Sequence, residues 1–433
     1  MSLLDLIKVN SKLPVHEDYK EVYDKAEFCS ESVECDEDYW DTKTPNGTKM
    51  LVQFECEKKS SFEFRKDVSA PKNIMQAILN KYMSTALKNE TNRVDIDFFK
   101  NIDLLGTPAE TFYADRLEEA LTKGYAYAIP DSTATDPNLT EAQKAQIGVR
   151  PYIRVIPVEN VINWTEYLGH LQEAIVLFPD DSKAMYVNQE VMVEIIMKDE
   201  RVVSIGQENY HGYSFIPLTR LKPFDNPFLF SGSLIQRSIN QKVTLENLEI
   251  HKSTYTKMFI KGIQLETDES GKQIPISWGN DTILSTSSEN AAITSIGADV
   301  AQAASIQSSY TKELQDLYQL YHLSGSQVAE NTQFPSGYSL KISKQDFNAV
   351  CGKMVNALER FENTLNALVA EKEVLGLEPV EYSRDFIEND MTSDILALRD
   401  ILALDVGDVV KQKAREDFAK KYYNISPEEL TGI

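Results

Sequence analysis

Apolar residues spaced three and four apart dominate the C-terminal half of the chain. Tyr310, Leu314, Leu317, Tyr318 and Tyr321 fall on one stripe and predict a helix through 301–323. Phe347, Val350, Met354, Leu358, Phe361, Leu365 and Leu368 form a longer stripe, which predicts a second helix stopping at Gly376 as a left-handed cap. Between them, 324–339 reads SGSQVAENTQFPSGYS, with Gly325, Pro335 and Gly337 as breakers and little to bury. A polar loop of that length suits a part that touches something without burying it. The plain alternative is a helix–helix connector.

The N-terminal half changes character twice. Residues 17–41 hold an acidic run, from Glu17 to Asp41, that reads as a solvated face. Met50–Glu57 and Ser61–Arg65 alternate and predict a hairpin. Lys72–Lys88, opened by Pro71, predicts a helix; a second follows Asp95, and a third runs from Thr107-Pro108 to Gly124. Strand-like runs follow at Tyr125–Pro130, Tyr152–Pro157, Ala174–Phe178, Val191–Met197 and Val202–Gly206. Their short spacing predicts antiparallel pairing, with 131–148 as a polar surface excursion. The fold class expected is α+β. Gly232–Lys257 predicts another helix, with Leu234, Ile235, Ile239, Val243 and Leu248 on its apolar side. Short runs at Met258–Leu265, Gln273–Trp278 and Thr282–Leu284 predict a small β-rich insert after it. Val380–Phe386 reads as a returning strand, and Ser393–Leu404 and Asp408–Tyr422 as closing helices.

Charge narrows the function classes. With 44 Lys and Arg against 67 Asp and Glu, the net charge is −23, which repels nucleic acid over most of the surface. The exception is the stretch from Phe228 to Leu265, where Arg237, Lys242, Lys252, Lys257 and Lys261 outnumber Glu246 and Glu249. A basic helix there could face phosphates, or its lysines could simply punctuate a helix. No apolar run approaches the ~20 residues needed to cross a bilayer, and the N-terminus lacks a signal-peptide core. Cys29, Cys35, Cys56 and Cys351 form no CxxC pair and have no histidines at zinc spacing, so a reduced, intracellular chain without metal or cofactor is expected. There is no P-loop, GxGxxG, GxSxG or HExxH. His16, His170, His211, His251 and His322 lie far apart in sequence. His211 reads as a turn residue and His322 as helix surface or interhelix contact. Asp103, Asp131 and Glu159 are the carboxylates that could be imagined as an acid–base set, although nothing singles them out. An enzyme is not expected.

The segment from Phe98 to Trp164 carries the strongest pattern. It holds Phe99, Ile102, Asp103 and Gly106 as a lead into a helix; Gly124, Tyr125, Pro130 and Asp131 around a strand; and Arg150, Pro151 and Tyr152 followed by Asn160, Val161, Ile162, Asn163 and Trp164. This succession resembles the portal proteins of tailed bacteriophages. The likeness is close for that segment and looser over most of 14–425, while residues 33–66 do not match it.

The resemblance implies a portal-like α+β architecture. Residues 1–232 and 340–392 would form the wing, 233–257 and 299–323 two stem helices, 258–298 a small β-rich clip, 324–339 a tunnel loop and 393–433 a short helical crown. It implies a homo-oligomeric ring, typically of twelve subunits, at one capsid vertex of the virion, assembled in the host cytoplasm and conducting double-stranded DNA. Its partners would be the terminase large subunit, a head–tail adaptor, and the major capsid and scaffolding proteins, with no membrane. Carried over, Gln327, Glu330, Asn331, Thr332, Gln333 and Phe334 would approach DNA. Arg237, Lys242, Lys252, Lys257 and Lys261 would supply stem basic rings, and Glu266, Asp268, Glu269 and Lys272 would meet clip partners. A bore through which DNA slides should hold few phosphates tightly, because each bound phosphate opposes the next step. Tyr318, Tyr321 and Phe334 are candidates for contact between copies, with core packing favoured for the two tyrosines. The alternative from another class is a virion adaptor or capsid-associated protein with no DNA channel.

Overall fold

The computed structural model describes residues 2–94, 96–133, 149–179, 182–254, 257–261, 292–296, 300–323, 337–372, 376–386, 399, 411–413 and 415. The chain divides into two units, Met1–Arg384 and Asp385–Ile433. In the second, 399, 411–413 and 415 are helical, and the rest of the two closing helices expected from sequence lies outside the described residues.

The first unit is α+β. A short helix α1 (Leu3–Leu6) is closed by a capping box between Ser2 and Asp5. Helix α2 (Tyr19–Glu34) underlies the acidic run: its acids face solvent while Ala26, Phe28, Cys29 and Val33 are buried. The expected hairpin at 50–65 is overturned, because Lys59–Asp67 is a helix, α3. Its alternating S-F-E-F-R pattern mimics a strand, but the helix puts Arg65 inside, fully buried, with its guanidinium forked onto Glu57 at 2.8 and 2.9 Å. Helix α4 (Ile74–Ala86) starts at an Asn73 cap rather than at Pro71. The helix expected after Asp95 is a single turn, α5 (Asp97–Lys100). Helix α6 (Ala109–Lys123) runs from Pro108 to Gly124 as predicted. Gly124 is required there: its φ is +92°, and a Cβ would stand 3.1 Å from the Pro227 ring.

The strands pair antiparallel throughout. A three-stranded sheet has β1 (Ala126–Ser132) between β2 (Pro151–Ile156) and β9 (Thr219–Leu221). A six-stranded sheet follows the order β3 (Val161–Tyr167), β4 (His170–Leu177), β5 (Lys183–Val187), β6 (Val191–Lys198) and β7 (Arg201–Ile205), with β8 (Asn209–Tyr210) also on β6. Strands β3, β5, β8 and β9 escaped the sequence reading. Strand alternation splits the larger sheet into two cores. Met185 and Val187 face one with Ile156, Val158 and Leu218; Ala184 and Tyr186 face the other with Val193 and Ile195. The N-terminal arm covers the second through Leu3, Ile7 and Leu13. Asn10 and Ser11 then pair with Val202 at the sheet edge (2.8 and 2.9 Å), which protects that edge from other chains.

Helix α7 (Phe230–Thr254) leads into β10 (Lys257–Lys261), which pairs antiparallel with β11 (Ala292–Ile296). Helix α8 (Val300–Leu320) follows. The other strand-like runs of the expected insert lie outside the described residues. Helix α9 spans Gly337–Lys372, so its first turn takes up residues 337–339 that the sequence reading left in the loop. Phe347, Met354, Leu358, Phe361, Leu365 and Leu368 are buried along it as their spacing predicts. Val380–Phe386 is not a strand. Its extended backbone bonds to α9 side chains instead: Asn363 both donates to the Val380 carbonyl (3.0 Å) and accepts from its N–H (2.8 Å), and Glu359 accepts from Tyr382 N–H. An amide side chain offers the same donor–acceptor pair as a neighbouring strand, so alternation alone could not tell the two apart.

Candidate functional site

Helices α7 and α8 lie antiparallel, and their contacts keep one register. Ser238 donates to Glu313 at 3.1 Å, Lys242 pairs with Glu313 at 2.7 Å and reaches Ser309 at 2.9 Å, and Tyr310 hydrogen-bonds Glu246. The ladder of β10 and β11 continues the same progression, with Lys257 opposite Ile296 and Lys261 opposite Ala292. Two helices and a two-stranded ribbon therefore form one hairpin-like excursion out of the α+β body. On α8, Ala301, Gln302, Ala304, Ser305, Gln307, Ser308 and Ser309 are exposed, and no charged residue occurs from Val300 to Thr311. In a chain of net charge −23, that leaves an uncharged outer surface.

The root of the excursion is polar, which the sequence reading missed. Ser233, Gln236, Asn240 and Thr244, at helical spacing along α7, are all fully buried, whereas Leu234 of the expected apolar stripe is exposed. Gln236 accepts from Ile74 and Met75 N–H, both at 2.8 Å, and donates to the Ser32 carbonyl at 2.7 Å. It thereby supplies partners to two of the orphan donors at the start of α4. Asn240 accepts from Lys72 N–H and donates to Tyr39 Oη, while Thr244 accepts from Arg65. Burial pushes the Tyr39 phenol up to about 12. Gln and Asn at helix positions look like surface from sequence, and only their partners, 160 or more positions away, make them core.

At the far end α8 is anchored by aromatics. Tyr321 is buried, donates to the Phe228 carbonyl at 3.1 Å and accepts, through its own carbonyl, from Tyr82 Oη at 2.6 Å. Tyr321 thus packs in the core, as expected, and Tyr318 is half-buried. His322 sits 3.8 Å from Asp346 of α9, an interhelix contact.

The predicted basic positions divide. Arg237 donates to the Lys49 carbonyl at 2.9 and 3.2 Å, and burial lowers its pKa. Lys242 is held by Glu313. Both have partners within the chain. Lys252 lies on α7, and Lys257 and Lys261 end β10. Gln327, Glu330, Asn331, Thr332, Gln333 and Phe334, like Glu266, Asp268, Glu269 and Lys272, lie outside the described residues.

Each of the imagined carboxylates has a partner of its own. Asp103 accepts from Leu105 and Thr107 N–H, bonds that hold it below the usual carboxylate range against the opposing effect of burial. Asp131 accepts from Tyr152 Oη, and Glu159 faces Lys123. His211 is placed in the turn after β8, its ring nitrogens engaged by the Asn188 carbonyl and Tyr213 N–H. Among the described residues, no group of His, Cys, Asp and Glu could hold a metal ion, and no helix is long and apolar enough to cross a membrane.

The residues of the Phe98–Trp164 pattern are architectural. Phe99 and Ile102 are buried, Ile102 pairs with Ile153 across to β2, Arg150 reaches the Asp97 carbonyl, and Asn163 donates to the Pro14 carbonyl under the N-terminal arm. His16 stacks on Trp164 with ring centroids 4.1 Å apart.

No protein-family model and no curated protein matches the chain. Among solved structures, similar chains come from the neck of a native GTA particle computed with C12 symmetry (TM-score 0.44, 8% identity, 85% of this chain and 95% of that one). Others come from the virion of a native gene transfer agent particle (0.43, 8%, 87% and 96%) and from the neck of an empty GTA particle computed with C6 symmetry (0.39, 9%, 81% and 91%).

Proposed function

We propose that this chain is a portal-type subunit of a tailed-phage-like particle, forming a ring whose axial bore conducts double-stranded DNA. One observation carries the reading: helix, paired strands and helix leave and re-enter the α+β body in a single register, and a polar stretch then leads into the long α9. That order is consistent with the stem, clip, stem, tunnel loop and wing that the resemblance implies. The uncharged outer side of α8 suits a surface past which a polyanion slides, since it offers neither strong attraction nor repulsion. Residues 327–334 would approach the DNA, and Lys252, Lys257 and Lys261 would form its basic rings. The β-rich insert would dock the packaging motor and later the adaptor. The chain would do no chemistry of its own, and the motor would drive translocation.

Negative-stain imaging of the purified full chain tests this. Rings with a central hole are the expected result. A monomer at every concentration up to the solubility limit would overturn it.

A further inference from the structure

The groove between α2 and α6 joins an apolar floor to an acidic rim. A cleft of about 220 Å³ between α2, α6 and β3 has Val22, Ala26, Val158 and Val161 in its lining, with Tyr23 and Trp164 as aromatic walls. A second cleft, of about 410 Å³ between α2, α4 and α6, continues it, and the two share Ser30, Glu34 and Lys123. Along α2 the groove runs from Tyr23 to Glu34, about 16 Å at the helical rise. That span matches about five residues of extended chain.

The charge in this groove is one-sided. Glu27, Glu34 and Glu159 line the first cleft, Asp115, Glu118 and Glu119 the second, and Lys123 is the one cation among the described residues of either lining. Two of the acids are compensated, because Glu159 faces Lys123 at 3.4 Å and Glu119 pairs with Arg116. Among the described residues no ion pair holds Glu27, Glu34, Asp115 or Glu118. Their charges crowd the groove: Glu27, with burial and Glu159, pushes the Tyr23 phenol up, and burial with Asp115 pushes the Glu118 carboxyl above its usual range. A cation seated there relieves both.

The same features select the occupant. The acids repel nucleic acid, and a small hydrated ion has no use for the apolar floor. Arginine and lysine side chains use the whole surface, their methylene stems on the floor and their charged heads against the acids and the ring faces. The length of the groove calls for several such side chains on one backbone. We propose that the α2–α6 groove docks an extended basic segment of another protein. The surface is complete within one subunit, so this contact goes beyond the ring-forming reading and does not rest on it.

The test uses the full chain and a short fluorescein-labelled peptide alternating arginine with alanine, followed by anisotropy at physiological salt, where charges beyond ~8 Å are screened. Saturable binding is expected. The triple variant Glu27→Gln, Glu34→Gln, Glu118→Gln removes three exposed acids of the groove and is expected to weaken binding about tenfold or more, with an unchanged melting temperature. Glu55→Gln, Glu63→Gln, Glu208→Gln removes the same charge from exposed positions elsewhere and is expected to leave affinity unchanged. Tyr23→Leu is expected to weaken binding severalfold and Tyr23→Phe to keep it, because phenylalanine retains the ring face. Equal losses in the two triple variants would mean attraction to bulk charge, and an undiminished affinity in the groove variant would place the peptide elsewhere; either overturns the proposal. Complete displacement by spermidine at equal charge would make the occupant a free polyamine and also overturn it. So would self-association of the parent chain that the groove variant abolishes, since the occupant would then be a second copy.

Discussion

Arg65 shows how a single residue can reverse a local reading. In S-F-E-F-R the alternation favours a strand, yet the chain folds as α3 so that a fully buried guanidinium meets Glu57, the Val52 carbonyl and Thr244. The rings of Phe54 and Phe62 lie 4.9 and 5.5 Å from it. A buried cation must be paired, and its acid lies eight positions away in sequence, outside any strand or helix period. Removing the acid leaves the charge stranded. Glu57→Ala is expected to cost about 3–5 kcal/mol of unfolding free energy, read from the urea midpoint, because breaking a buried pair exposes the full desolvation penalty. A loss under ~1 kcal/mol would mean that Arg65 finds another partner or water.

Among the elements, α7 is the one whose sequence misleads most. Its positions at three and four spacing are doubly occupied, by apolar residues on one stripe and by Ser233, Gln236, Asn240 and Thr244 on another, and the fold buries the polar one completely. Hydrophobic periodicity finds the helix and places Ile239 and Val243 inside, but it misses the buried polar stripe, because it scores side-chain polarity and not the backbone groups waiting opposite. Gln236 meets the buried, otherwise unpaired N–H groups at the start of α4, so its burial costs little while the bonds last. Gln236→Leu leaves two N–H groups unmet at ~1–3 kcal/mol each, an expected destabilisation of about 2–4 kcal/mol by thermal unfolding. Faster amide exchange at Ile74 and Met75 should accompany it. Unchanged exchange would show that the amides find partners elsewhere. By contrast α6 was fully legible: Pro108 before it and Gly124 after it, at φ +92°, are local signals that need no tertiary partner.

At the scale of the whole molecule, the proposed function depends on copies and on DNA. The polar stretch between α8 and α9 has Glu330 as its one charge between Ser324 and Gly337. If it works as a contact with moving DNA, its side chains matter and its length must be kept. Replacing Gln327–Gln333 with a Gly/Ser segment of equal length is therefore expected to leave rings intact by imaging. DNA packaged per particle, measured by nuclease protection, should fall at least tenfold. Loss of rings with normal packaging by the remainder would place the stretch at a subunit interface instead.

What the amino-acid sequence determined by itself was everything set by local period and local caps. The two long stripes of α8 and α9, the bounds of α6, the antiparallel strands and the acidic face over α2 all arise from neighbours within a few positions, where side-chain spacing and backbone preference act directly. What only the tertiary structure decided was where polar groups go. The polar root of α7, the buried Arg65 and the strap of Val380 on Asn363 all depend on partners outside the local period of the chain. The free energy of a buried polar group is fixed by whether its partner is present, and no period in the sequence records that.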